Sequence, residues 1–368
     1  MCFAELSDIL RELTASRTIP AIAVAVGRRG VIEYCQAFGQ VYETGKNAAA
    51  DSRFDIASLT KIITGICFMR LVEEGTIGLY DPIHRFFPEF NGIFPIEKDG
   101  EIIGTCDAGK ITWFHALTHT TGMGWTRPKT RPSLPNLDRD LTDIYALPFA
   151  YKTGEQVLYS DIPIILMGKA MEMATQRKLD ELVTSCVTKP LAMKNTGYLR
   201  LSQSNSLSAE DVIPTEYDDV FRKKRIWGEV HDENAFLLDG VAGHAGIFST
   251  IEDMCKLGMH FNKCLNTDGI LQSDTARLMI QEHATQGDDR KGLMWKLSNP
   301  DQNAYTKGLS ARAYGHDGFT GCFLWNDPDV DLTIVLLSND VYNGRQNRRL
   351  FQHRKDIIDC ILRSLACN

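Results

Sequence analysis

Ser58-Leu59-Thr60-Lys61 sets a hydroxyl and an amine three residues apart, at the start of an apolar run from Ile62 to Val72. A serine hydroxyl is a weak nucleophile at neutral pH and needs a nearby base to take its proton. On a helix, residues three apart share one face, so Lys61 lies within reach of Ser58. If Ser58 opens that helix, its backbone N–H lacks an intrahelical acceptor and can point at a developing oxyanion. Phe54-Asp55-Ile56-Ala57 leads in as a short strand or turn. The run behind is apolar nearly all round (Ile62, Ile63, Ile66, Cys67, Phe68, Met69), which predicts a buried helix. Desolvation at the end of such a helix is expected to lower the pKa of Lys61. The plainer alternative for the same residues is a Ser N-cap followed by a lysine reaching for solvent.

Two further patches carry chemistry. Tyr159-Ser160-Asp161 stands just before the apolar Ile164-Ile165-Leu166-Met167 stretch. A tyrosine at such a junction can aim its hydroxyl into a cleft. Beside a lysine ammonium its phenol is expected to lose its proton more readily and to shuttle protons; a lone tyrosine capping a core is the alternative. Tyr314-Gly315-His316-Asp317-Gly318-Phe319-Thr320-Gly321 is glycine-rich at the edge of a predicted strand. Its glycines allow close approach of a substrate backbone, and His316 can donate to a carboxylate or a leaving group. A bare glycine turn is the alternative.

The elements that must position these patches are visible as periodicities. Residues 5–16 read as an amphipathic helix with Leu6, Ile9, Leu10 and Leu13 on one face. Ala21–Val26 and Val31–Tyr34 flank a Gly27-Arg28-Arg29-Gly30 turn as a hairpin. Gly321–Trp325 and Leu332–Leu337 read as adjacent strands, and 350–366 as a closing helix. Between these ends, 115–239 is rich in helical stretches and loops, with Ile162–Met173 the plainest helix, and 202–208 reads as a polar surface loop. Strands at both ends with helices between predict a sheet built from the two termini and a helical insert.

Composition narrows the function classes. The 368 residues carry a net charge of −7, which disfavours nucleic acid or anionic membrane as a partner. No apolar run is long enough to insert in a membrane, and Met1-Cys2-Phe3-Ala4-Glu5-Leu6-Ser7-Asp8 does not read as a signal peptide. The 10 cysteines form no C-x-x-C and are expected as reduced thiols in the cytoplasm. His115 and His119 are spaced like metal ligands but have no convincing third partner, so structural roles are expected for them. Gly39–Lys46 departs from the spacing of a phosphate loop, and no G-x-S-x-G elbow marks an α/β-hydrolase.

Taken in order and spacing, Ser58-x-x-Lys61, Tyr159-Ser160-Asp161 and His316-Asp317-Gly318 resemble the motifs of the serine β-lactamase and penicillin-binding-protein superfamily. The branch they resemble is that of class C β-lactamase-related esterases and peptidases. Leu117-Thr118-His119-Thr120-Thr121-Gly122-Met123, Leu191-Ala192-Met193-Lys194-Asn195-Thr196, Gly228–Ala235 and Gly240–Thr250 are similar to further segments of that branch. The resemblance implies an α/β (α+β) fold with an antiparallel sheet flanked by helices. The two termini (1–78 and 236–368) would form the α/β domain, with a mainly helical domain (79–235) inserted and the site in the cleft between them. It also implies a serine hydrolase working through an acyl-enzyme on an ester, small amide or peptide bond. Ser58 would be the nucleophile, with Lys61 and Tyr159 moving protons. Asp161, His316, Gly318, Phe319 and His231 would line the substrate and oxyanion side, the backbone N–H groups of Ser58 and Phe319 holding the oxyanion.

No metal or organic cofactor is expected, and the partner is a small molecule or short peptide. A true β-lactamase, a D,D-peptidase and a non-catalytic penicillin-binding protein are the alternatives. Two departures bear on the first of these. Asp161 stands where β-lactamases usually carry Asn, and an ionised carboxylate only accepts hydrogen bonds. His316 stands where Lys is usual, so a fixed charge for a β-lactam carboxylate is missing. Both are expected to turn the site from β-lactams towards esters or small amides.

Overall fold

The computed structural model describes residues 3–124, 147–203, 211–300 and 306–366. Most of the polar 202–208 stretch therefore lies outside the described residues. Five long helices organise the fold: α1 (Ala4–Ala15), α2 (Thr60–Glu73), α3 (Ile162–Thr175), α4 (Ile251–Cys264) and α5 (Leu350–Ala366). The strands that matter for the site are β1 (Ala21–Arg28), β2 (Val31–Val41), β3 (Lys46–Asn47), β4 (Phe54–Asp55), β5 (Gly197–Tyr198), β6 (Ile247–Ser249), β7 (Ala284–Gln286), β8 (Asp289–Lys291), β9 (Lys296–Leu297), β10 (Tyr314–Asp317), β11 (Phe323–Asp327) and β12 (Leu332–Ser338).

Nine of these strands form one antiparallel sheet in the order β7-β8-β9-β10-β11-β12-β1-β2-β3. The two chain ends thus meet at its centre, where Val24 of β1 lies opposite Leu336 of β12. Alternation along β1 explains the layering. Ile22, Val24 and Val26 join the core under α1 and α5, while Ala21, Ala23 and Ala25 face the core that holds α2 and α4. The small side chains admit a close helix, and α4 uses a glycine at the contact. A Cβ on Gly258 would lie 2.5 Å from Thr333 Cγ2.

Helix α2 is buried on all sides, as its apolar sequence predicts, and shares one core with α3, α4 and the central sheet. Fully burying residues such as Ile62, Ile63, Ile66 and Phe68 contributes about 1.5–3 kcal/mol each. Sliding or tilting this helix would expose several of them at once, so its N-terminal end is a rigid platform. The middle of the chain holds more strand than its sequence predicts. Ile93–Lys98 and Glu101–Asp107 form a hairpin, and Tyr217–Asp218 pairs with Lys224–Arg225. The first hairpin leaves Ile93, Ile102 and Ile103 exposed, so it lacks the in–out alternation by which strands are read.

Candidate active site

Ser58 lies in a 3-10 turn, Ala57–Leu59, that runs straight into α2, so it precedes the α-helix and does not open it. Lys61 follows in the first turn of α2 and is completely buried. Its Nζ lies 2.9 Å from Ser58 Oγ, 3.1 Å from the His244 carbonyl oxygen and 2.7 Å from Asp161 Oδ1. Two hydrogen bonds and one ion pair surround this ammonium. Burial by itself would lower the pKa of Lys61, but the Asp161 carboxylate and then Tyr159 outweigh it and hold it above the ordinary lysine value. The sequence predicts the opposite direction. Desolvation is present as expected, and the counter-ion reverses its sign.

Asp161 is therefore not a free acceptor confronting a substrate carbonyl, the arrangement expected from its place in the Tyr-Ser-Asp motif. Its Oδ1 is engaged by Lys61. The repulsion expected against a β-lactam side chain loses that oxygen, while the missing amide donor remains.

Tyr159 stands before α3, at the centre of the cationic and imidazole groups. Its ring lies 4.9 Å from Lys61 Nζ and 5.9 Å from Lys291 Nζ, with ring centroids of His119 at 4.6 Å and His316 at 5.8 Å. Burial raises its phenol pKa, and Lys61 offsets this only in part. The sequence predicts a lowered value, so this too is a correction: the phenol keeps its proton and is not a standing phenolate. His316 and His119 are both held well below the usual histidine value, first by burial and then by lysines, among them Lys61, Lys291 and Lys296. Both rings are neutral near pH 7. His316 Nδ1 is 2.8 Å from the Asp317 carbonyl, which only accepts, so Nδ1 carries the proton and Nε2 is left as an acceptor. His119 Nδ1 accepts from the Ser160 N–H at 3.2 Å, which fixes the opposite tautomer.

The third patch is anchored from outside the pocket. Asp317, at the end of β10, pairs with Lys296 at 2.7 Å and Arg354 at 2.8 Å. Burial would raise its pKa, but these two cations hold its carboxyl below the usual range. Gly318 fits its place because a Cβ there would lie 2.6 Å from the Ile56 carbonyl oxygen. Phe319 is 40% exposed, and among the described residues its N–H has no acceptor. Its ring stacks on His231 at 5.6 Å, with the Arg348 guanidinium at 4.1 Å.

His231, expected at the substrate, is buried behind Phe319 instead. Its Nε2 lies 3.0 Å from Glu216 Oε1, and Glu216 is also gripped by Arg345. Burial would raise the pKa of Glu216, yet the bonds from His231 and Arg345 hold it at about 2. His231 stacks on the Phe319 ring, away from the Ser58–Lys61 contact.

Asp161, Asp232 and His244 place ligand-type atoms within 4.8 Å of one another, a grouping sequence spacing does not reveal. Those atoms are already engaged. Lys61 holds Asp161, and His244 Nε2 is 2.8 Å from Asp232 Oδ1. Burial would raise the pKa of Asp232, but His244, with Lys61 behind it, keeps it below the usual carboxylate range. A divalent cation here would sit against a buried ammonium, which like-charge repulsion opposes. The group reads as a charge cluster behind the nucleophile. Among the residues that sequence reasoning does not single out for chemistry, Asp232 and His244 carry no signal beyond family-like loops, and Lys291 carries none. His119, for which the sequence predicts a structural role, packs directly on the Tyr159 ring.

A profile of the Beta-lactamase family matches residues 6–357. The N-acetylmuramyl-L-alanine amidase of Bacillus subtilis (strain 168) is 31% identical over 323 residues, covering 81% of this chain and 71% of the amidase. Among solved structures, EstCE1, described as a hydrolase with promiscuous acyltransferase activity, matches with a TM-score of 0.75 at 21% identity, covering 97% of this chain and 98% of its own. A class C beta-lactamase matches with a TM-score of 0.73 at 17% identity, covering 97% and 96%. At those identities the two structures speak to the fold: a large antiparallel sheet flanked by helices.

Proposed function

The chain belongs to the beta-lactamase family, and on that premise we propose that it is a serine hydrolase that opens an amide or ester bond through an acyl-enzyme on Ser58. The observation that carries this reading is the 2.9 Å contact between Ser58 Oγ and the fully buried Lys61 Nζ, with the Asp161 counter-ion at 2.7 Å. An ammonium cannot accept a proton, so the reactive form is the one in which Lys61 has become an amine. Ser58 Oγ then bonds to the substrate carbonyl carbon as its proton passes to Lys61. The leaving group departs with a proton from the Tyr159 hydroxyl, which Lys61 resupplies. Water repeats the sequence on the acyl-enzyme, giving up a proton to the same pair and releasing the acid. The backbone N–H groups of Ser58 and Phe319 would bind the oxyanion. The cleft would lie between the 1–78 plus 236–368 body and the 79–235 insert.

One feature supports a substrate that carries a carboxylate near the scissile bond. The curated relative is named as an amidase of N-acetylmuramyl-L-alanine, an acidic amide. Small acidic amides and short peptides are therefore the favoured class, with simple esters as accessible surrogates.

A panel tests this: an N-acyl-L-alanine or D-alanyl amide, a matched amide with its carboxylate methylated, a p-nitrophenyl ester and a chromogenic cephalosporin. Turnover is expected on the ester and faster on the free acid amide than on its methyl ester. Cephalosporin turnover should be slow, for want of an amide donor at Asp161. Turnover of none of them would favour a silent binding protein, and rapid cephalosporin hydrolysis would make the chain a β-lactamase.

A further inference from the structure

The proposed oxyanion donors belong to segments far apart in the chain, and one buried residue ties both. Asp55, at the end of β4, is 2% exposed. Its Oδ1 accepts the Ala57 N–H at 2.8 Å, its Oδ2 accepts the His231 N–H at 2.7 Å, and its carbonyl oxygen accepts the Thr320 hydroxyl at 2.8 Å. Ala57 immediately precedes Ser58, and Thr320 immediately follows Phe319. His231 in turn stacks on the Phe319 ring.

Backbone geometry shows why such a clamp is needed. Ala57 has φ of +46°, in the left-handed region that residues with a Cβ adopt only when their surroundings impose it. The bond from its N–H to Asp55 Oδ1 is the restraint nearest to that conformation, and it sets the direction in which Ser58 leaves the turn. Across the gap, the Gly318–Thr320 loop seats directly on the segment following Asp55. A Cβ on Gly318 would meet Ile56 O at 2.6 Å, and the Thr320 hydroxyl closes the contact. Burial pushes the Asp55 carboxyl up, and the His231 and Ala57 N–H donors offset this only in part, so it stays above its ordinary value.

We propose that Asp55 is a positioning residue that sets the spacing between the Ser58 and Phe319 N–H groups, and so acts on the transition state without touching substrate. The inference rests on the acyl-transfer reading above. It explains why a carboxylate occupies this position. Two backbone donors approach its two oxygens, whereas an asparagine has one oxygen to offer and would turn an NH₂ towards the other donor. Donor spacing must hold within about 0.5 Å to serve an oxyanion, and binding gained only in the transition state appears in kcat, not KM.

The test compares Asp55→Asn and Thr320→Val with wild type in kcat and KM on a p-nitrophenyl ester. It also compares affinity for a phenylboronic acid, whose tetrahedral adduct occupies the oxyanion position, with affinity for the carboxylic acid product. A fall in kcat of about 10–100-fold is expected for Asp55→Asn, short of the roughly 10²–10³ lost when an oxyanion donor is deleted outright. KM should stay within about threefold, boronate affinity should fall by a factor similar to kcat, and product affinity should hold. Thr320→Val should move the same quantities in the same direction by less, and it decides the matter if Asp55→Asn does not fold. Unchanged kcat and boronate affinity in a folded variant would overturn the inference, as would equal losses for boronate and product. If wild type neither turns over the ester nor binds boronate through Ser58, the functional reading itself fails and takes this inference with it.

Discussion

On one side of Ser58 the contacts run between charges, and on the other they run through the backbone. Lys61, Asp161, Asp232 and His244 form the first side, linked by the Lys61–Asp161 ion pair and by hydrogen bonds through His244. Ala57, Phe319 and Thr320 form the second, held by Asp55 and by a glycine that admits the Ile56 carbonyl. The first side titrates, so damage to it should alter how rate depends on pH. The second is fixed by geometry, so damage there should lower the rate at every pH. On the proposed mechanism, a single nucleophile would draw its proton chemistry from charges and its transition-state binding from shape.

The sharpest way to break this contrast is to remove the base. Lys61→Met keeps most of the side-chain volume and should cut kcat/KM about 10³-fold or more, because nucleophile and base act as a unit. Steady-state kinetics on the ester, with a thermal melt to confirm folding, check it; a loss below about tenfold would mean that another group takes the serine proton. Tyr159→Phe comes next. It keeps the ring between Lys61 and the two imidazoles and deletes only the hydroxyl, so a loss of about 10²-fold in kcat is expected. An unchanged kcat would leave Tyr159 a packing residue.

Asp161→Asn sharpens the contrast by moving the pH dependence more than the rate. Lys61 is active as the amine, so kcat/KM rises as pH rises through its pKa. The Asp161 charge holds that pKa up, so removing it should move the rise to lower pH. A pH–rate profile across the neutral and alkaline range reads this directly, and an unmoved rise would mean that Lys61 is not the titrating base. On the geometric side, Asp55→Asn should lower the plateau and leave the position of the rise where it is in wild type.

The smallest effect on rate is expected at Glu216, two contacts removed from the pocket. Its folded pKa of about 2 lies below the ordinary 4.5, so its ionised form favours folding. The contribution is fully present above about pH 4.5 and is lost as pH falls through 2, about 3 kcal/mol in all. Glu216→Gln should therefore lower stability at neutral pH and flatten its dependence on pH below 4.5, with kcat reduced less than about tenfold. Urea unfolding at about pH 7 and about pH 3 gives the comparison; equal slopes for variant and wild type would contradict it.

What could be read in advance follows the range of the contacts. Helices α1 and α5 are legible because each buries one face at a regular period, and the β1–β2 hairpin and β11–β12 pair because short apolar runs flank turn residues. Ser58 and Lys61 are legible because their contact spans one helical turn. Asp161 is visible in its motif, but its partner is not, since the ion pair with Lys61 joins α2 to the segment before α3. That one hidden contact reverses the expected direction for Lys61. The direction for Tyr159 fails for another reason, because complete burial outweighs the neighbouring ammonium. His231 sits in a loop that resembles family loops, but which way its ring turns is decided by Glu216 and Arg345, and Arg345 comes from a distant segment. The Ile93–Asp107 hairpin escapes sequence reasoning because its exposed isoleucines leave no period to read.

The most direct test of the central claim is mass spectrometry of the intact protein during turnover of a slowly deacylating p-nitrophenyl ester. Catalysis through a Ser58 acyl-enzyme predicts one added acyl group, mapped by proteolysis to the peptide containing Ser58, appearing in a burst stoichiometric with enzyme and absent from Ser58→Ala. An acyl group on another residue, or burst and turnover persisting in Ser58→Ala, would contradict it.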